Sequence, residues 1–276
     1  MYLLFDYSKG SGMMNLTRIY VCEDSIDGIF TAVYQAWSSG YGHANIKLEE
    51  KCDQNHYSNI ELFSEYIQVE TDYGLSLKVA RAVKEKISEE AFEMICRVAL
   101  SDHQGKADLI YRFMILGFAA GPGIVQHLSS EIVASVFKIS RFVGNEVHHL
   151  LGFIRFSEQE SGLLSSVIHP KNNVLSMVTP HFVDRLPRER FIIYDGNRNI
   201  ASIHVPGKPW ILAGMENFSG QDFGMISYEE DEYQDLWKIF FKHITIQERV
   251  NPKLQRNNLP LRFRSDMTEF QISAGT

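Results

Sequence analysis

Apolar residues recur with two different periods along this chain, and the change from one to the other falls near Leu151. Between Leu75 and Ala99 the residues Leu77, Ala80, Val83, Ile87, Phe92, Ile95 and Val98 follow helical spacing and predict one or two helices. Ser88, with the acids Glu89 and Glu90, is suited to start the second. Lys106 to Ala119 predicts another helix, closed by Gly121-Pro122-Gly123, which cannot continue one. Ser129 to Leu151 predicts the longest, with Val133, Val136, Phe137, Val143, Val147 and Leu150 in its buried stripe. Beyond it, Phe153–Phe156, Gly162–His169, Arg190–Tyr194 and Asn199–Val205 are rich in β-branched and aromatic residues and predict strands. Asp195-Gly196-Asn197 is a turn signal joining two of them into a hairpin. Asn173–Leu186 reads as a helix interrupted at Thr179-Pro180, and Tyr233–Ile246 returns to helix.

The opening of the chain is organised differently. Arg18–Cys22 predicts a strand, Ser25 or Asp27 a cap for a helix carrying Phe30, Val33, Tyr34 and Trp37, and Ala44–Leu48 and Glu61–Glu70 two more strands. This outlines a βαβ-like subdomain over residues 16–72, after a Gly- and Ser-rich extension at 1–15 that is expected to be flexible. Helices grouped ahead of an antiparallel sheet, with the small βαβ-like unit before them, predict an α+β fold.

Composition narrows the class. A chain of 276 residues, 45% hydrophobic and 22% charged, can bury a large core as one domain or two. No apolar run reads as long enough to span a bilayer, so no membrane association is expected. Met1–Tyr7 has an acid in its apolar run and no basic segment before it, which makes a poor signal peptide. The three cysteines, Cys22, Cys52 and Cys96, are odd in number and widely spaced, which argues against a disulfide framework or zinc cluster and for the reducing cytoplasm. The net charge of −7 is segregated: Glu229–Glu232 is acidic, whereas Lys238–Arg264 holds seven Lys or Arg against the single Glu248. Such a stretch serves either as an electrostatic footprint for nucleic acid or as a solvated helix face and its tail.

Two patches concentrate the chemistry. Glu146, His148, His149 and Arg155 lie in one run, and Asp195 and Arg198 flank the predicted hairpin turn. Glu146 and His149 share a helical face, one half of a carboxylate-bridged di-metal pattern. No second Glu-x-x-His follows, so no resident metal is expected, and no residue pattern points to a cofactor. Arg155, set on an expected strand of apolar residues, needs an anionic partner, either Glu146 or a phosphate. His181 lies beside Asp184 and Arg185. Catalytic candidates are therefore Glu146, His148, His149, His181 and Asp195. Ligand-binding candidates are Arg155, Arg198, Arg249, Asn251, Lys253, Arg256, Arg262 and Arg264. The glycines Gly117, Gly121 and Gly123 follow a helix and lack a following Lys-Ser/Thr, so they make no phosphate loop.

Taken in order, Tyr20–Phe30, Phe113–Gly123, Glu146–Phe156, Thr179–Arg185, Phe191–Arg198, Leu236–Phe241, Arg249–Pro252 and Met267–Phe270 resemble a bacterial family assigned to DNA metabolism or repair. That family is encoded beside a radical SAM protein and is sometimes fused to a uracil-DNA-glycosylase-like domain. The resemblance implies a family core over 73–272 and a radical SAM protein as partner. It also implies DNA, or a damaged nucleotide, as what the chain binds. A non-catalytic scaffold that docks the radical SAM partner is the alternative, and whether the chain is an enzyme stays open.

Overall fold

The computed structural model describes residues 16–51, 63–215, 226–243 and 251–270. The chain divides into two units, residues up to 99 with 103–137, and residues 100–102 with 138 onward. The division thus falls after residue 137 and not after 72, because the helices that follow residue 72 pack against the first helix and sheet.

In the first unit β1 (Thr17–Cys22) is the centre of a three-stranded sheet, parallel to both β2 (Ile46–Glu50) and β3 (Ser64–Gln68). Helix α1 (Ile26–Ser38) provides the β1-to-β2 crossover that parallel neighbours require. Ser25 caps it, its Oγ accepting from Gly28 N at 3.0 Å. Gly28 is needed there, since a Cβ would stand 2.5 Å from the Glu23 carbonyl oxygen. α2 (Tyr73–Lys86) is capped by Asp72, and α3 (Glu89–Ala99) by Ser88, whose Oγ accepts from Ala91 N at 3.0 Å. α4 (Lys106–Ala120) follows, and Arg112 on it donates to the carbonyls of His43 and Ile46, tying the helix to the entry of β2. Residues 106–126 have the length and apolar composition to cross a membrane, which corrects the expectation that no stretch does. Ile110, Tyr111, Phe113 and Met114 of that stretch are buried within the unit.

Burial also silences two thiols. It pushes Cys22 up to about 12 and Cys96 up to about 11, because a thiolate loses its hydration there. Both are expected to resist iodoacetamide at pH 8 in the native protein and to react on unfolding. Peptide mapping of the alkylated protein reads this directly, and native labelling of Cys22 would refute it.

The second unit is built on α5 (Glu131–Phe153), which carries its later turns there, and on a five-stranded sheet of order β4-β5-β6-β7-β8. The strands are β4 (Ser157–Glu158), β5 (Leu164–Ile168), β6 (Phe191–Asp195), β7 (Ile200–His204) and β8 (Ile211–Gly214). The sheet is mixed, where an antiparallel one was expected: β5 and β6 run parallel because α6 (Leu175–Arg185) crosses between them. The other pairings are antiparallel, with β6 and β7 joined by the expected turn at Gly196–Asn199. Asn199 closes that turn at φ 53°, a conformation asparagine tolerates. Val143, Leu150, Ile168, Val178, Phe182, Phe191, Ile193 and Phe263 form the core beneath. The chain is accordingly α+β. Phe153–Phe156 is not a strand: α5 continues through Phe153, and Ile154, Arg155 and Phe156 form the loop into β4. α7 (Tyr228–His243) and α8 (Pro252–Asn258) complete the unit.

Candidate functional site

Glu146 faces inward from α5, and its side chain is fully buried. A buried carboxylate is tolerated only where donors replace water. Here Lys171 N donates at 3.0 Å, Asn172 N at 2.9 Å and Asn172 Nδ2 at 2.6 Å, while Arg262 Nη2 stands at 3.1 Å. Asn172 is itself buried, and its Oδ1 accepts from Asp102 N at 3.1 Å. Glu146 therefore pins the loop that follows β5 to the helix and to the carboxy-terminal segment.

The hairpin patch converges on the same loop. Asp195 is fully buried; its carboxylate accepts from Asn197 N at 2.9 Å and from Arg198 Nη1 at 3.0 Å. Burial raises its carboxyl above the usual carboxylate range, outweighing the Arg198 guanidinium and the N–H donors that pull the other way. Arg198 Nη1 and Asn197 Nδ2 both donate to the Pro170 carbonyl, at 3.1 and 2.9 Å. His169 closes the cluster, its Nδ1 2.9 Å from Asp266 Oδ1 and its backbone N–H donating to Asp266 Oδ2 at 3.0 Å. Gly196 lets the two segments meet, since a Cβ there would lie 2.6 Å from His169 Nε2.

The sequence-predicted residues thus divide. The structure joins Glu146 and Arg262 in one ion pair and brings Asp195 and Arg198 to the same loop. Arg155 does not meet Glu146: its Nη2 pairs with Glu269 Oε1 at 2.9 Å, and its Nη1 donates to the Gly152 and Ile154 carbonyls. The carboxylate of Glu146 is likewise spent on the loop and does not meet His149, which lies half-buried and stacked on Phe153 at 5.5 Å. His148 and His181 are exposed, the latter edge-on to Phe182. Asn251 is a helix cap, accepting from Leu254 N at 3.0 Å. Lys253 and Arg256 are exposed on α8. Arg264 lies over the Phe270 ring at 4.9 Å. Arg249 falls outside the described residues.

Sequence reasoning missed Lys171, Asn172 and Glu269, which partner the predicted residues, the His169–Asp266 pair beside them, and Phe142. Phe142 is 42% exposed on α5. The Lys171 Nζ lies 5.5 Å from its ring centroid and the Arg262 Cζ 5.9 Å. Along the same helix Lys138, Arg141, Asn145 and His148 share its exposed side at spacings of three and four. From Lys138 to Phe153 the sole acid is Glu146, already buried. The result is an aromatic surface ring bracketed by two cations, Arg262 held by Glu146 and Lys171 with its Nζ 3.3 Å from Asp102 Oδ2.

Burial, then the neighbouring His148 and Arg262 charges, lowers the His149 pKa. Its unfolded form, titrating near about 6.5, takes up a proton first. Its neutral state therefore favours folding above that pH, and the contribution is lost as pH falls below it. His149→Phe is expected to keep the stack on Phe153 and flatten the stability change between pH 7 and 5, read by urea melts; an unchanged slope would refute this.

The model of a family described as a domain of unknown function, DUF4130, matches residues 104–269. No curated protein matches the chain. A solved structure described as a DHH domain of a member of the s1p family of ribosomal proteins is similar over 70% of this chain and 74% of that chain. Its identity is 9% and its TM-score 0.39, too loose a superposition to inform fold or function.

Proposed function

The chain belongs to the DUF4130 family of domains of unknown function, and we propose that it is a nucleic-acid-binding protein of DNA repair or modification, working with a radical SAM partner. The observation that carries the binding is Phe142, exposed between Lys171 and Arg262 on a helix whose sole acid from Lys138 to Phe153 is the buried Glu146. An exposed ring offers a base a stacking surface, and flanking cations neutralise the phosphates on either side. The exposed Lys253 and Arg256 add to the cationic surface of the same unit. The resemblance described above supports the process and the partner. Arg155 and Arg198 take no part in phosphate binding in this reading: besides its buried carboxylate, each donates to two backbone carbonyls, Arg155 to those of Gly152 and Ile154 and Arg198 to those of Pro170 and Lys171, whereas Arg262 meets Glu146 through Nη2 and its side chain is 38% exposed.

Binding to single-stranded DNA should weaken steeply with salt, since released counterions drive it. Phe142→Ala should lose about 1–3 kcal/mol of affinity, the worth of one stacked base. Lys138→Ala should instead reduce the salt slope by about one. Fluorescence anisotropy at two salt concentrations separates the effects. Salt-independent binding, or none to any DNA or RNA, favours the scaffold alternative. One observation already speaks for that alternative, the exposed apolar stripe Leu236, Ile239 and Phe240 on α7.

A further inference from the structure

On a different stripe of α7 lies a groove of about 560 Å³, lined by Arg155, Phe156, Glu230, Tyr233, Gln234 and Trp237 among others. Its volume is in the range of small-molecule sites. Tyr233 and Trp237 stand one helical turn apart and are 68% and 41% exposed, so their rings add little to any core. Two of the groove's walls are nevertheless held by one buried group. Glu269, whose side chain is 3% exposed, pairs with Arg155 through Oε1 at 2.9 Å and accepts from the Trp237 indole N–H through Oε2 at 3.4 Å. A buried carboxylate spent on fixing an otherwise exposed indole and a guanidinium preorganises a surface for a flat ligand.

The polar wall shows which edge that ligand presents. Gln234 Nε2 donates to Glu230 Oε1 at 2.8 Å and to Ser157 Oγ at 3.0 Å. Both of its N–H groups are thereby occupied, which leaves Gln234 Oε1 and Glu230 Oε2 as acceptors without a partner among the described residues. A wall of acceptors calls for a ligand edge of donors. Guanine presents N1–H and an exocyclic amine side by side, a match for a carboxylate; cytosine and adenine present one amine each; thymine sets carbonyl oxygens on both sides of its single N–H. The acids Glu229, Asp231 and Glu232 at the start of α7 disfavour a phosphate close by.

We propose that this groove is a nucleobase site, selective for amino-bearing bases and for guanine above all. It takes the base of an unstacked nucleotide while the phosphates lie elsewhere. The assignment rests on the nucleic-acid reading for the source of the base, but free nucleosides test it alone. Calorimetric titration of the full chain with deoxyguanosine, deoxycytidine and thymidine should show binding in that order, deoxyguanosine exceeding thymidine roughly tenfold. Glu230→Gln should abolish the discrimination, and Tyr233→Ala and Trp237→Ala should each lower affinity. Circular dichroism confirms that each variant is folded. Failure of every nucleoside to bind at millimolar concentration would overturn the assignment, as would thymidine binding equal to deoxyguanosine or affinity indifferent to Glu230→Gln and Trp237→Ala. If deoxyguanosine binds as described and no DNA or RNA does, the groove stands as a site for a free nucleoside and the nucleic-acid reading falls.

Discussion

Glu146→Ala is expected to cost the second unit about 3–5 kcal/mol, the penalty for removing one member of a buried charged network. The loss has an identifiable origin. Without the carboxylate, the buried Asn172 amide and the Lys171 and Asn172 backbone N–H groups have no acceptor, and unsatisfied buried donors cost more than the bonds themselves were worth. Asn172→Ala should cost less, about 1–3 kcal/mol, because the carboxylate keeps its backbone donors and Arg262. The two units need not melt together, so a single melting temperature is a poor readout. Hydrogen exchange at the Lys171 and Asn172 amides reports on the network itself and should accelerate sharply in Glu146→Ala. Protection equal to the parent protein would mean that the carboxylate does not hold the loop. DNA affinity should fall with it, since the same network places Lys171 and Arg262 over Phe142.

Elements with strong local signals were legible in the sequence. The helix start at Ser88 and the Asp195-Gly196-Asn197 turn depend on neighbours within a few residues, and where the sequence left Ser25 or Asp27 as a cap and one or two helices over 75–99, the structure has Ser25 and two. The parallel pairing of β5 with β6 was legible in principle, since a helix was expected between them, but strand periodicity alone does not give direction. Phe153–Phe156 misled because Phe, Ile and Phe pack equally well from a helix end as from a strand. β8 (Ile211–Gly214) was not foreseen; Ile211 and Leu212 are exposed and the strand is short, so no buried alternation marks it. In the site, Glu146 stood out as a charge in a core-like run, and Asp195 and Arg198 as charges flanking a turn. Their distant partners did not: Asn172 lies 26 residues from Glu146, the Pro170 carbonyl 28 from Arg198, and the Glu269 that meets Arg155 114 away, so their neighbourhood is a product of the fold.

The identity of the Arg155 partner gives the sharpest test of that fold. The sequence left Glu146 and a phosphate as alternatives; the structure supplies Glu269, at 2.9 Å and 3% exposed. Arg155→Ala should therefore destabilise the unit by about 3 kcal/mol, the low end for a buried pair, because the guanidinium keeps some solvent contact. Glu269→Ala should do the same and also release the Trp237 indole. In a double-mutant cycle the Arg155→Ala/Glu269→Ala protein should be clearly less damaged than the two single losses summed, since neither charge is then left buried alone. Arg155→Ala combined with Glu146→Ala should by contrast be additive to within about 0.5 kcal/mol, as the two side chains share no partner. Coupling between Arg155 and Glu146, with none between Arg155 and Glu269, would put the loop after α5 in a different place. It would also separate Arg155 from Trp237, and with it two walls of the groove.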